Sequence, residues 1–195
     1  PMIATLAMML IAWGMALVIS GTSAIPLSEF TAFLRLGQGR TLGVTNALYL
    51  IAIVAVIAAY LLNRTLIGRY ALAIGSNEEA TRLSGVNVKK WKMLVYTLGG
   101  TFTGLAGVLM ASRLASGKPD VGQSYEMYAI AAAVLGGASL QGGRASVFGS
   151  VVGAIVIATI RNGAVLMGIP DQWQKVLLGI VVLGAVYLDA RRQKS

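Results

Sequence analysis

The sequence predicts an all-α, polytopic bundle of transmembrane helices, on three observations. Of its 195 residues, 56% are hydrophobic and 12% charged, and mean hydropathy is +0.75; a soluble domain carries about a quarter charged residues and under half apolar ones. The apolar residues gather in runs of about 20, the length at which a helix rising about 1.5 Å per residue crosses a hydrocarbon core. The 16 Lys and Arg, against 7 Asp and Glu, fall in the gaps between those runs, as membrane topology requires. A nucleic-acid binder would instead line the +9 net charge along one face with interleaved aromatics, which argues against a nucleic-acid partner.

Four runs read as clear spans. Residues 2–20 and 44–62 are uncharged, 93–111 form a third, and 173–188 open with Trp173 and close with Tyr187, like interfacial anchors. Two weaker spans lie between the third and the last. Residues 126–140 are short and interrupted by Gly136-Gly137, so this span reads as broken; 145–160 follow a polar Gln-Gly-Gly-Arg turn. Residues 21–43 read as an outer loop with a short amphipathic patch around Phe30, Phe33 and Leu34.

The sequence opens at Pro1 inside an apolar run, with no initiator Met and no basic leader. Ser20, Gly21, Ser23 and Ala24 resemble a signal-cleavage site, but the run before them is too long and unflanked. It reads as a truncated transmembrane helix, and the 195 residues as a single transmembrane domain that is a fragment of a longer protein. No internal repeat is visible.

Orientation follows from basic residues. With the 63–92 gap and the tail cytoplasmic, Arg64, Arg69, Arg82, Lys89, Lys90, Lys92, Arg144, Arg191, Arg192 and Lys194 lie inside, ten in all. Six lie outside: Arg35, Arg40, Arg113, Lys118, Arg161 and Lys175. This is the positive-inside bias, and it places the C-terminus in the cytoplasm. The alternation closes only if 126–140 counts as a span.

The chain has no cysteine and no histidine. A disulfide, a thiolate nucleophile, a Cys/His metal site and the commonest proton shuttle are all ruled out, and no cofactor is expected. No acid–base pair can be assembled at membrane depth, so a membrane-embedded enzyme is the weakest class. An ion-coupled secondary transporter stays open as the alternative, although intramembrane ionisable residues usually mark such relays. The first three spans contain none, and the last holds only Lys175 near its edge. The stretch GGASLQGGR lacks the G-x-x-x-x-G-K-[ST] phosphate loop, so any ATP hydrolysis belongs to another polypeptide.

The gap at 63–92 is far longer than a connection needs. Ser76-Asn77 followed by Glu78-Glu79 is a helix start signal, with acids where an N-terminus favours them, and Gly85 suits the stop. A helix of about two turns, parallel to the membrane on its cytoplasmic side, follows. From the residues alone it reads equally as a linker helix at the headgroups.

The stretch GRYALAIGSNEEATRLSGVNV, continuing through the third span, resembles the coupling segment of ABC importer permeases of the ribose, galactose and xylose type. Their pattern G-x-N-x-x-A-x-x-x-S-G-[IV] is met by Gly75, Asn77, Ala80, Ser84, Gly85 and Val86. Glu79 departs from it, standing where these permeases commonly carry Ala. IAAAVLGGASLQGGRASVFGSVVGA is similar to the glycine-rich stretch in their last third, so the resemblance covers essentially the whole chain.

The resemblance implies a permease fold of about ten spans, of which this chain holds the last six. It implies a bacterial inner-membrane permease subunit that moves a monosaccharide inward. Its implied partners are ATP-binding cassette subunits, a second permease subunit in a homo- or heterodimer, and a periplasmic or extracellular sugar-binding protein. The direction of transport rests on the resemblance alone. A short helix seated in an ATPase groove would pass on closure as rigid-body motion, with Glu78, Glu79 and Arg82 offering charge complementarity and Ser84-Gly85 a compact corner.

Gly100-xxx-Gly104 and Gly149-xxx-Gly153 are small-xxx-small pairs that let helix backbones approach, within this chain or across a dimer. Gly136-Gly137 with Ser139 could open backbone groups to a polar cavity, as broken helices do in transporters. Glu126, at a span end, could face a sugar path. These four are the candidate substrate-path residues.

Overall fold

The computed structural model describes residues 2–192. The chain is helical, with nine helices and two short antiparallel strand pairs among the described residues. Four helices are long and apolar enough to cross a membrane: α1 (Met2–Ser20), α3 (Asn46–Arg64), α6 (Val88–Leu114) and α8 (Val147–Leu166). α9 (Asp171–Arg192) contains a shorter apolar stretch, and α7 (Tyr125–Leu135) is only 11 residues long. At about 1.5 Å per residue α7 covers roughly half a bilayer core.

The helices divide into two compact units. The first holds residues 1–52 and 100–123. Here residues 21–43, expected as a loop, carry structure of their own. Helix α2 (Thr31–Gly37) lies against the C-terminal end of α6, pinned by Ser112, which is fully buried. The Ser112 hydroxyl donates to the Phe33 carbonyl (2.7 Å) and accepts from the Gly37 N–H (2.8 Å). Gly37 is a packing requirement, because a Cβ there would meet the Arg113 amide at 2.6 Å. Strand β1 (Ile25–Pro26) pairs with β4 (Ser116–Gly117), and β2 (Arg40–Thr41) with β3 (Val44–Thr45).

The second unit holds residues 53–99 and 124–195. Its core is a small-residue seam: Ala131 and Ala132 of α7 bury against Ile157 of α8, with Tyr128 and Val182 packed on the cluster. A Cβ on Gly149 would overlap the Gly136 carbonyl, and one on Gly153 would overlap the Ala132 carbonyl. The two backbones therefore touch at the C-terminal end of α7. The Gly149–Gly153 pair packs within this chain, whereas at Gly100 and Gly104 nothing lies within 4 Å of the Cβ position.

Element bounds differ instructively from the apolar runs. α6 starts at Val88, five residues before its run, since the Asn87 side chain caps it by accepting from the Lys90 N–H (3.1 Å). α8 continues past Arg161 to Leu166. Gly136-Gly137 ends α7 instead of interrupting a longer helix, with Gly136 as its C-cap. Tail residue Lys194, counted for orientation, lies outside the described residues.

Candidate functional site

The 63–92 gap is folded, with two helices of its own. After α3, Thr65 is extended (φ −113°, ψ 164°) and its hydroxyl bonds back to the Leu61 carbonyl (2.6 Å), so the chain turns sharply. Helix α4 (Leu66–Ser76) follows, and Gly68 packs so closely that a Cβ there would strike the Leu62 backbone. One extended residue, Asn77, separates α4 from α5 (Glu78–Leu83).

Asn77 serves both helices. Its N–H closes the end of α4 on the Ala73 carbonyl, while its side-chain Oδ1 accepts from the Ala80 N–H (2.9 Å). Glu78 and Glu79 occupy the first turn of α5, where the helix dipole favours acids. The Thr81 hydroxyl donates to the Asn77 carbonyl (2.8 Å), and the Ser84 hydroxyl to the Ala80 carbonyl (2.9 Å). Gly85 then takes φ +81°, the left-handed conformation that ends a helix.

The α4–α5 segment is fastened to the start of α6. The Tyr70 and Trp91 rings lie 4.7 Å apart, and Glu78 pairs with Lys92. Glu79 pairs with Arg82 at 2.7 Å on the α5 surface. The charges expected to face a partner are thus engaged within the segment itself. Only Thr81 of α5 is buried (8% exposed). Ala80 and Leu83 point outward with Glu79, and Leu83 is 77% exposed.

Sequence reasoning passed over Leu83. The signal available was a lone large apolar residue inside the polar stretch EEATRLSG. It also left out α4, whose Leu66, Ile67, Tyr70, Ala71 and Ile74 recur at helical spacing.

The structure holds the residues expected to couple to a partner, Gly75, Asn77, Glu78, Glu79, Ala80, Arg82, Ser84 and Gly85, in one continuous segment. It separates the substrate-path candidates. Glu126 is exposed in the first turn of α7, whereas Gly136 and Gly137 lie at the far end of that helix, followed by Ser139 in the turn to α8. That turn lies against Gly75 and Ser76. Near the other end of α7, an open groove of about 530 Å³ runs between α7 and α8. Tyr125, Tyr128, Arg161 and Asn162 provide its polar groups, with the Arg161 guanidinium 5.3 Å from the Tyr128 ring centre.

Residues 1–186 match the family described as branched-chain amino acid transport system / permease component. The chain is 42% identical over 195 residues to the ribose import permease protein RbsC of Escherichia coli strain K12, covering 98% of this chain and 60% of that protein. It is 40% identical over 153 residues to the xylose transport system permease protein XylH of Haemophilus influenzae, covering 78% of this chain and 41% of that one. It is 38% identical over 194 residues to the L-arabinose transport system permease protein AraH of E. coli, covering all of this chain and 59% of the relative. The chain thus spans about three fifths of the length of the ribose and arabinose permeases. No solved structure matches it.

Proposed function

We propose a function for this chain from one premise: it belongs to the family of branched-chain amino acid transport system permease components. It is the membrane part of an ATP-driven importer of a monosaccharide, with hydrolysis carried out by separate ATP-binding subunits and no catalytic chemistry of its own. The family description names branched-chain amino acids, but the relatives at 38–42% identity are named for ribose, xylose and arabinose, which favours a sugar. A second permease subunit pairs with it in the membrane, and an external sugar-binding protein delivers the substrate.

Six spans are proposed, running through α1, α3, α6, α7, α8 and α9, with α4 and α5 in the cytoplasm. The charge bias, ten basic residues inside against six outside, supports this orientation and a cytoplasmic C-terminus in a bacterial inner membrane. The short α7 is the span that most needs neighbours to complete its crossing. Glu126 belongs to the outer part of the sugar path. Gly136, Gly137 and Ser139 lie toward the cytoplasmic end of that route.

One observation carries the reading. Helix α5 is a capped, six-residue helix, outside the apolar spans, and its outward face carries Ala80 and the exposed Leu83 between internally paired charges. A loop that only joined two spans would need neither the cap nor an exposed leucine. We assign α5 as the element that docks on the ATPase, with Gly75, Asn77, Glu78, Glu79, Arg82, Ser84 and Gly85 shaping it, and with Leu83 filling a pocket on the partner.

The test uses Ser84→Cys in the full-length protein stripped of other cysteines, with single cysteines on the co-expressed ATP-binding subunit. A crosslink whose yield changes with ATP supports the assignment. A cysteine that labels from the cytoplasmic side yet never crosslinks overturns it and favours an ion-coupled carrier, which sensitivity to an uncoupler, and not to vanadate, would then confirm.

A further inference from the structure

We propose that Gly75, Gly142 and Gly143 form a rigid transmission contact, through which displacement of α5 moves the α7–α8 pair. The inference rests on the reading of α5 as the coupling helix. The coupling segment and the glycine-rich stretch, far apart in sequence, meet here.

The Ser139–Arg144 turn holds its own shape. The Ser139 N–H donates to the Arg144 carbonyl (3.0 Å), the Gly142 N–H to the Ser139 carbonyl (3.1 Å) and the Gln141 N–H to the Ser139 hydroxyl (3.2 Å). Gly142 and Gly143 sit at φ +89° and +77°, where other L-residues are strained. The turn meets the last residues of α4 backbone to backbone. A Cβ on Gly142 would overlap the Gly75 carbonyl, one on Gly75 would come within 3.0 Å of the Gly143 nitrogen, and one on Gly143 within 3.0 Å of the Ser76 Cβ. Main chain cannot swing aside as the tip of a long side chain can, so the contact transmits displacement with little loss.

What lies on each side gives the contact its consequence. On one side, a single extended residue, Asn77, links the end of α4 to α5. On the other, the turn joins α7 to α8, whose backbones touch at Gly136–Gly149 and at Ala132–Gly153. A push on α5 thus reaches a membrane-crossing helix through one extended residue and tight backbone packing, the kind of discrete, stiff path that carries coupling between sites. An ordinary loop at 138–146 would absorb it.

The test uses the full-length protein assembled with its ATP-binding subunits in proteoliposomes. Gly142→Val wedges the contact open and should lower sugar moved per ATP hydrolysed on the order of tenfold, while assembly and ATP hydrolysis continue. Wild-type transport per ATP in that variant overturns the proposal. A second measurement does not depend on how the valine is accommodated. With Ser76→Cys and Gly143→Cys as the only cysteines, oxidation should close a disulfide, since slight relaxation brings the two Cβ atoms to the usual separation of about 3.8 Å. The oxidised protein should transport as well as its reduced form, because the contact stays closed through the cycle. Two thiols that both label after oxidation remove the contact. A disulfide that halts transport until it is reduced shows that the contact opens, and overturns rigidity. If the unaltered protein shows no ATP-driven transport, the coupling reading and the transmission role fall together, while disulfide yield still judges the contact by itself.

Discussion

Asn77→Ala should unwind α5 without disturbing the spans around it. A helix of six residues is well below the length at which an isolated helix persists in water, about 12–15 residues, so α5 depends on its ends and its few tertiary contacts. The exposed pairs Glu79–Arg82 and Glu78–Lys92 contribute little, about 0–1 kcal/mol each. The Asn77 cap, accepting from the Ala80 N–H at 2.9 Å, is a larger single term. Losing such a cap costs about 1 kcal/mol, within a range of about 0.5–2. At RT of about 0.59 kcal/mol the open population rises about fivefold, with bounds of roughly two and thirty. Hydrogen exchange of residues 78–84, followed by mass spectrometry in lipid nanodiscs, reads that factor directly, because exchange from a locally opened helix tracks the opening equilibrium. Asn77→Asp retains the acceptor and should exchange at close to the native rate. Unchanged exchange in Asn77→Ala, or equal acceleration in both variants, would refute the view that the cap sets the stability of this helix.

Leu83→Asp should leave the protein inserted and abolish co-purification of the ATP-binding subunit, which a pull-down from detergent reads; retained assembly removes Leu83 from the docking face. Gly85→Trp strains a residue at φ +81° and adds bulk to the same corner, so ATP hydrolysis should continue without transport in a proteoliposome uptake assay. Gly85→Asn, which tolerates the left-handed region, should retain most of the uptake. Ser112→Ala leaves the buried Gly37 N–H without its partner, a loss of about 1–3 kcal/mol. Exchange across 31–38 should rise by roughly 5- to 150-fold, with α4 and α5 unaffected; no change there would mean α2 is held by other contacts.

Much of the architecture was legible because the bilayer imposes a simple rule. A helix must be apolar for about 20 residues to cross, and α1, α3 and α6 announce themselves by that length. α8 read as a weaker span because its run was cut just before Arg161, whereas α9, which read as a clear span, holds only a shorter apolar stretch. The start of α5 was legible for a different reason, because capping is a local code and Asn77-Glu78-Glu79 spells it. The end of α7 was harder to read. Gly136-Gly137 inside an apolar stretch looks the same whether it breaks a span or ends it, and only the packing of Gly136 on Gly149 decides. α4 was hidden because Leu66–Ser76 is too short for a span and too apolar for a loop. The Gly75–Gly142 contact was not legible in either motif, since nothing local to a glycine says which distant backbone requires its missing Cβ.

The pairing of charges on α5 bears on how a partner would recognise it. A docking face built on free carboxylates would gain on-rate from steering and lose it with salt. Here Glu79 is matched by Arg82 and Glu78 by Lys92, so neither carboxylate is free to steer a partner. On the proposed docking, a partner gains most by burying Leu83 and the backbone corner at Ser84-Gly85, so the contact should depend on shape and apolar area more than on salt. The Glu78–Lys92 pair ties α5 to the start of α6, while Glu79–Arg82 lies within α5, which suits a helix proposed to pass on a displacement without bending. On that proposal the charges of α5 are engaged within the fold, and Leu83 is left to meet the partner.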